Sequence, residues 1–422
     1  MRHVGTSSRG AVTFALAGIL GTLAWAPDAP AAGFAIQEQG AAATGRACAV
    51  TAVADTPSAI FYNPAGLALQ PGLGIEAGLT LILPLVSHED PGSGETTKAE
   101  LNVFYPPSIY ASYLLPANVA VGVGFFVPYG LGIEWPDGWS GFETVRLIDL
   151  KTFVVNPAVA WSPFPWLAFG GGLSVVRSVV ELRKGIAFVD ERGSLRAGGA
   201  AWGFGGSAGL LLRFLKGRLS FGLSYRSAVS LDVKGRADFS VPETFASLLE
   251  DQPVRTSLTL PHTLSIGVAG KPARMLTLSL DLLVTTWSTF STFGLTFPED
   301  EEKPEDEKLS QVEARNWRNV YSVRAGAELR LPTVEWLGLR LGLAYDRTPS
   351  PSSTLSPTLP DSDRILVSAG AGFSLPRGFS VDLAYMFVYF FERSSTGDAF
   401  PGTYSASAHL IGVSLGYGLA RK

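Results

Sequence analysis

The chain has 422 residues, a net charge of −4 and a charged fraction of only 17%. This charge balance gives no indication of nucleic-acid binding. The single cysteine, Cys48, excludes a disulfide framework and a cysteine-based metal site, and no leucine-rich stretch has the form of a membrane helix.

The N-terminus has the three parts of a secretory signal. Arg2 and Arg9 supply positive charge, and Ala11–Trp25 is an uncharged apolar stretch that is too short to span a bilayer as a helix. Small residues before a cut after Ala31 complete the pattern. We therefore predict a signal peptide at residues 1–31, with an uncleaved anchor helix as the alternative.

The stretch after this leader carries little strand pattern of its own. It begins with Gly33-Phe34 and contains the hexapeptide Ile60–Ala65, which reads Ile-Phe-Tyr-Asn-Pro-Ala. Many short apolar strands follow it. We predict that residues 32–72 form a hatch, or plug, inside a barrel made of residues 73–422.

Long uncharged stretches raise the question of membrane helices. Leu101–Ile133 contains no Asp, Glu, Lys or Arg, but Pro106, Pro116 and Pro128 divide it into pieces of about ten residues. Each interior proline costs a helix roughly 3 kcal/mol. Pieces of this length match a tilted transmembrane strand, which needs about 9–11 residues.

Alternation of apolar and polar residues supports strands. Leucines at 276, 278, 280 and 282, for example, alternate with mostly small or polar residues. Since an open sheet edge is not tolerated in hydrocarbon, such a membrane sheet must close. We predict an all-β fold, a 14-stranded antiparallel transmembrane barrel. The expected strands lie near 73–86, 106–115, 117–128, 150–161, 166–183, 200–214, 217–233, 260–271, 274–289, 317–331, 336–346, 363–376, 378–392 and 403–419.

The same alternation assigns several charges to the lumen, because leucine and valine should face lipid. These charges form either a structural network that joins the wall and the plug or, as the alternative, part of a substrate path. They are Asp281, Arg324, Glu328, Arg330, Arg340 and Asp382.

Enzyme signatures are absent from the sequence. The histidines of the predicted mature chain, His88, His262 and His409, are far apart, and no hydrolase or nucleotide-binding motif surrounds them. We expect no enzymatic activity, no cofactor and no metal. Acidic Pro298–Lys308 is either a solvated loop or a calcium site, and Val241–Glu250 predicts a short amphipathic helix over the barrel mouth.

Ordered motifs along the chain closely resemble the FadL/TodX family of outer-membrane channels for hydrophobic compounds. No single motif decides this, but their order covers nearly the whole mature chain. The motifs are Ala32-Gly33-Phe34, Ser58–Leu67 with Asn63-Pro64-Ala65, Val127–Leu131, Trp139-Ser140-Gly141, Asn156–Ala160, Trp202–Gly205, Gly222–Ser227, Leu260-Pro261, Trp287-Ser288, Asn316-Trp317, Tyr345-Asp346 and Pro360–Arg364.

The resemblance implies a monomeric, fourteen-stranded outer-membrane barrel with an N-terminal hatch. It implies uptake of long-chain fatty acids or, in another branch, of monoaromatic hydrocarbons. Ligand would land in an outer groove, move to a deep site at the start of the hatch, and leave into the outer-membrane lipid through a kinked third strand.

The resemblance also implies roles for individual residues. Phe34 corresponds to a phenylalanine that touches ligand in the deep site. Arg318 falls where the family has a basic residue near the ligand head group, and either Arg177 or Arg183 matches a second basic position. Gly122 and Gly124 lie on the strand expected to carry the kink. Barrels of this type commonly end in an aromatic residue, but this sequence ends in Ala420-Arg421-Lys422. Recognition by the assembly machinery would then depend on Tyr417.

Two other functions remain open. A water-filled general porin would need no plug, and a structural or adhesive surface protein would use its long outer loops. The sequence itself does not separate fatty acids from aromatic hydrocarbons. Basic residues near the deep site mildly favour fatty acids, because a hydrocarbon needs no counter-charge.

Overall fold

The structure, a computed structural model, describes residues 33–188, 191–304, 308–397 and 400–419. The predicted signal peptide at residues 1–31 lies outside the described residues. None of the helices in these ranges combines the length and the apolar character needed to cross a membrane.

Fourteen antiparallel strands form a closed barrel, since the first strand pairs with both the second and the last. The predicted fold class is therefore confirmed. The strands are β1 (Leu73–Glu89), β2 (Pro107–Leu114), β3 (Val119–Phe126 and Gly130–Glu134), β4 (Leu147–Phe164), β5 (Leu167–Ala187), β6 (Arg192–Phe214), β7 (Leu219–Arg226 and Val229–Ser240), β8 (Gln252–Leu260 and Thr263–Ala273), β9 (Leu276–Thr285), β10 (Val320–Arg330), β11 (Leu337–Asp346), β12 (Arg364–Ser374), β13 (Phe379–Ser394) and β14 (Thr403–Leu419).

Side chains alternate between lipid and lumen as the sequence pattern predicts. On β11, Leu339 and Leu341 point outward and are 46% and 65% exposed, whereas Arg340 between them is 5% exposed. Two-residue periodicity thus places an apolar band outside and polar groups inside, which is the arrangement of outer-membrane barrels.

Short turns join the strands at one end and long loops join them at the other. Short 3₁₀ turns such as Pro116–Asn118 and Pro376–Gly378 belong to the first group. The longest loop contains a hairpin of Thr292–Leu295 and Gln311–Ala314. Because outer-membrane barrels carry short turns on the periplasmic side, the long loops face outward.

Two loop predictions can be compared with the structure. The helix predicted over Val241–Glu250 is wrong: only one 3₁₀ turn, Glu243–Phe245, forms there, because so short a stretch cannot offset the cost of helix nucleation. The acidic stretch Pro298–Lys308 is described except for residues 305–307. No described group of three or more His, Cys, Asp or Glu side chains is placed to hold a metal.

The N-terminal segment (residues 33–72) lies inside the barrel and is mostly buried. It contains two helical turns, α1 (Ala41–Thr44) and α2 (Ala59–Tyr62), and a 3₁₀ helix at Pro64–Leu69. Wall glycines let its backbone approach closely. A methyl group added at Gly209 would overlap the side chain of Asn63, and one added at Gly222 would overlap the backbone of Thr51.

Ion pairs tie this segment to the wall. Arg324 Nη2 lies 2.9 Å from Asp346 Oδ2, and Arg324 Nη1 also donates to the backbone oxygen of Ala47 at 3.2 Å. Arg46 of the segment lies 3.6 Å from Glu328, which also pairs with Arg340. Of the two alternatives for the lumen charges, this geometry favours a structural network between wall and plug.

Candidate functional site

The barrel wall is interrupted in β3. Pairing between β2 and β3 begins at Leu114–Ala120 and ends at Ile109–Phe125. Pairing of β3 with β4 stops at Phe126 and resumes at Gly130. Between them lie residues 127–129, where Pro128 has no N–H to donate to a sheet.

The start of the N-terminal segment covers this interruption. We call residues Phe34–Gln39 the arm. The Ile36 N–H donates to Pro128 O at 2.8 Å, and the Gly130 N–H donates to Phe34 O at 3.0 Å. Gln39 Nε2 donates to Val127 O at 2.7 Å. Since unpaired backbone groups are costly in hydrocarbon, the arm satisfies groups that the broken wall leaves free.

The glycines predicted to form the kink lie before the interruption in β3. Gly122 and Gly124 lie in the regular part of β3 and pair with both neighbouring strands. A methyl group added there would come within 3.0 to 3.1 Å of Ile60, a residue of α2. These glycines make room for the N-terminal segment, and the break occurs later, at Pro128, for the physical reason given above.

An apolar chamber lies on the outer side of the arm. This outer chamber is lined by Phe34, Leu150, Leu258, Phe290 and Arg315, among others. Its volume is about 20 Å³, which is room for about one water molecule. An apolar ligand would have to displace a side chain to enter, and Phe34 is the lining residue that belongs to the N-terminal segment.

Phe34 and Tyr129 separate the outer chamber from a second one. The Phe34 ring packs 4.6 Å from Trp287 and 6.1 Å from Tyr129. Phe34 lines the outer chamber and Tyr129 lines the second chamber. Residues of the arm and of the interrupted strand thus form one partition.

The second, inner chamber is more polar than the outer one. It has a volume of about 30 Å³ and is lined by Gln37, Cys48, Tyr129, Arg226 and Thr263, among others. Pro128 lies in its wall, so the chamber borders the interruption directly. Burial raises the pKa of the Cys48 thiol, so this cysteine stays neutral.

A cleft of about 330 Å³ lies next to the outer chamber at the loop end of the barrel. It runs between β7, β8 and the hairpin of the long loop, and it shares Thr256 and Phe293 with the outer chamber. We call it the mouth cleft. Its lining carries two positive side chains, Lys234 and Arg255, and one negative side chain, Asp232.

Arg315, rather than Arg318, lies in the outer chamber. Arg318 is exposed and is not part of the chamber lining. Arg315 is 5% exposed and pairs with Glu313 at 2.9 Å. The prediction extended the alternation of β10 backwards, but the strand begins only at Val320, and Asn316 has a left-handed φ of 51°.

The other two predicted arginines point away from the lumen. Arg177 lies 5.1 Å from the ring of Trp202, which is 62% exposed on the lipid side. Arg183 is exposed and pairs with Glu181. In β5 the even-numbered residues are the buried ones, as at Ser174, Val176 and Ser178, so odd positions face outward and cannot line either chamber.

The predicted hatch motif connects the segment to the wall. Asn63 is fully buried, and its Nδ2 donates to Thr51 O at 2.8 Å and to Leu210 O at 3.1 Å. Its Oδ1 accepts from the Ala65 N–H, which caps the 3₁₀ helix that begins at Pro64. Asn63 therefore joins two parts of the segment and strand β6.

Several site residues were not singled out from the sequence. In the sequence, Tyr129 and Arg226 stand out only as members of the motifs Val127–Leu131 and Gly222–Ser227. Their partners, Phe34 and Phe61, are far away in the chain. The only sequence signal for Arg226 is its position directly after the apolar strand Leu219–Tyr225. The alternation of that strand places position 226 on the face that points to the lumen.

Comparison with known proteins identifies relatives along the whole barrel. Residues 22–418 match the family described as outer membrane protein transport protein (OMPP1/FadL/TodX). The chain is 25% identical over 414 residues to the long-chain fatty acid transport protein of Salmonella typhi, covering 88% of this chain and 89% of that protein.

Solved structures share the fold. A Pseudomonas aeruginosa FadL homologue superposes with a TM-score of 0.81 at 19% identity, covering 92% of this chain and 100% of that one. The P. putida toluene transporter TodX gives 0.71 at 17% identity, covering 87% and 95%.

Proposed function

Since the chain belongs to the OMPP1/FadL/TodX family, it is an outer-membrane transport channel for hydrophobic compounds, and we propose that its substrates are long-chain fatty acids. Members of this family are transporters rather than enzymes.

The observation that carries the proposal is the pairing of the arm with the interrupted strand. Hydrogen bonds from Ile36, Gly130 and Gln39 join the arm to the edge of a gap in the wall. Cleavage after Ala31, as predicted, would leave the arm at a chain end, which can withdraw without breaking the barrel. Its withdrawal would expose the gap and join the two chambers in one movement.

The proposed route begins at the mouth cleft. An apolar chain captured there enters the outer chamber, where burial contributes about 25 cal/mol per Å² of apolar surface. Because the chamber is nearly filled, entry displaces Phe34, and the ligand replaces the contacts between Phe34 and Trp287. The ligand then leaves sideways at residues 127–129 into the lipid.

Passage is driven by the ligand gradient alone. Neither a nucleotide-binding motif nor another energy-coupling signature occurs in the sequence. The N-terminal segment, which lies in the lumen and is mostly buried, argues against a water-filled porin. A surface-adhesion role has no specific support in the described loops.

Uptake of aromatic hydrocarbons is the second candidate function. The outer chamber lining is apolar apart from Arg315 and a few hydroxyl groups, and Glu313 already pairs with that arginine. An uncharged ring would therefore fit as well as an alkyl chain. The solved toluene transporter with the same fold supports this reading.

Uptake by cells that lack their own channel separates these functions. Cells expressing the protein are given labelled oleate or labelled toluene, with Phe34→Ala and Arg315→Met as variants and Arg318→Ala as the matched surface control. Oleate uptake that falls in the first two variants and persists in the control supports the proposal. Toluene uptake alone would assign the chain to hydrocarbons, and uptake of neither would refute the proposed function.

A further inference from the structure

Arg226 places a positive charge directly behind the interruption in β3. Its Nη2 donates to Phe61 O at 2.7 Å. Its Cζ lies 4.7 Å from the ring centroid of Phe61 and 5.3 Å from that of Phe126. Phe126 is the last paired residue before the interruption, so the cation stands at the inner edge of the gap.

No described carboxylate neutralises this cation. Two other lumen arginines each have an acidic partner: Arg324 pairs with Asp346, and Arg340 pairs with Glu328. Within the described ranges, no acidic oxygen lies inside the 4.0 Å limit of an ion pair with Arg226. An enclosed cation without a counter-ion is unfavourable, and aromatic faces offset only about 0.5–2 kcal/mol of this.

The guanidinium has hydrogen-bonding capacity left over. It carries N–H donors arranged as a planar fork that matches a carboxylate. Only the bond to Phe61 O is made to a protein acceptor among the described residues. The rest of the group lies along the inner chamber, beside Gln37, Tyr129 and Thr263.

We propose that Arg226 is the residue that receives the carboxylate of the substrate once Phe34 has moved aside. The inference rests on the proposed function and names the substrate class that the inner chamber accepts: amphiphiles with an apolar chain and one anionic head. The head would take the unused N–H groups of Arg226 while the chain still occupies the outer chamber. Arg226 is then a specificity-determining residue at the gate.

This assignment predicts discrimination by charge rather than a general requirement. A charge-assisted hydrogen bond in a site without water is stronger than a neutral one. Arg226 should therefore increase the affinity for fatty acids but not for uncharged molecules of equal length. A purely structural arginine, which only holds Phe61 in place, would affect both kinds of molecule equally.

The test compares labelled oleate with labelled oleyl alcohol, which has the same chain and no charge. Uptake and binding are measured for the full-length protein, Arg226→Met, Arg226→Lys and Arg236→Met. Arg236 lies on the same strand β7, but its side chain is 64% exposed and pairs with Asp238, away from the chamber. The Arg236 variant is therefore the matched control.

We expect Arg226→Met to lower oleate uptake by about tenfold or more and to change oleyl alcohol uptake less than about twofold. Arg226→Lys should lie between the wild type and Arg226→Met, and Arg236→Met should resemble the wild type. Equal losses for both ligands, or no loss for oleate, would overturn the inference. If Arg226→Met fails to insert, the same comparison with Arg226→Lys decides. Wild-type protein that takes up no oleate would refute the proposed function itself, and this inference with it.

Discussion

The backbone N–H of Gly33 donates a hydrogen bond to Oδ2 of Asp361 at 3.2 Å. This bond joins the first described residue to the loop before β12, in the stretch Pro360–Arg364. Asp361 also accepts from Thr348 Oγ1 at 2.6 Å. The start of the arm is thus held at Asp361 and at the interrupted strand, and both contacts must break before the arm withdraws.

Replacing Asp361 tests this anchor. Asp361→Ala leaves two buried donors, Gly33 N–H and Thr348 Oγ1, without their acceptor, which costs about 1–3 kcal/mol for each group. We expect faster hydrogen exchange at residues 33–39 and no change in the exchange of distant strands such as β6. Asp361→Asn, which keeps one acceptor oxygen, serves as the control. Unchanged exchange in the alanine variant would contradict the role of the anchor.

The same anchor predicts a pH dependence. Burial raises the pKa of Asp361, and Arg364 opposes this only in part. Because the folded state then binds more protons than the unfolded state, the stability contributed by this group is highest below the unfolded pKa and falls as the pH rises through the folded pKa. Protection of residues 33–39, corrected for intrinsic exchange, should decrease from mildly acidic to neutral pH. Asp361→Asn should abolish this trend, and a trend that persists would point to another group.

The absence of a side chain at Gly209 lets the N-terminal segment pack closely on the wall. A methyl group at Gly209 would overlap Oδ1 of Asn63, whereas one at Gly198, on the same strand β6, meets nothing nearer than Val180 O at 3.8 Å. Overpacking of this kind costs about 1–3 kcal/mol. We expect Gly209→Ala to displace the segment and raise steady ion conductance in planar bilayers, with Gly198→Ala as the silent control. Equal conductance in both variants would argue against close packing of the N-terminal segment on the wall at Gly209.

Asn63 should hold the segment closed. Asn63→Ala removes both donors to Thr51 O and Leu210 O and leaves these buried carbonyls unpaired. If the free energy of opening the segment falls by about 2 kcal/mol, the population of molecules with an open segment rises roughly 30-fold. We expect proteolysis of the segment to accelerate accordingly, whereas Asn102→Ala, whose one side-chain bond is long at 3.5 Å, should not change it. A normal cleavage rate in Asn63→Ala would refute the role of this residue.

The barrel could be predicted from the sequence because its signal is local. The alternation around Leu339 and Arg340 depends only on neighbouring positions, and prolines such as Pro116 mark where strands turn. The closed sheet follows from the need to satisfy every backbone group in lipid. The number of strands follows from the turn signals, and the two faces follow from the alternation.

The site was harder to predict, because its contacts join distant residues. Parity assigned Arg318 to the lumen, but alternation holds only within a strand, and the strand starts at Val320. Gly122 and Gly124 indicated a kink, although glycine equally provides room for a neighbour, here Ile60. The contact of Arg226 with Phe61 spans 165 residues, and no periodicity reports such a contact.

The central claim is that withdrawal of the arm from β3 permits uptake, and a reversible cross-link between them tests it most directly. Ala35 and Tyr129 form an antiparallel bridge of the non-hydrogen-bonded type, in which the Cα atoms are about 4.5 Å apart, within disulfide range.

The measurement is oleate uptake by the variant Ala35→Cys/Tyr129→Cys in a Cys48→Ala background, before and after reduction. Single-cysteine variants and the wall pair Ser87→Cys/Ser405→Cys, which joins β1 to β14, are the controls. The account predicts that uptake is blocked when the arm is cross-linked, recovers on reduction, and is insensitive to redox state in every control. Full uptake through the cross-linked protein would contradict it.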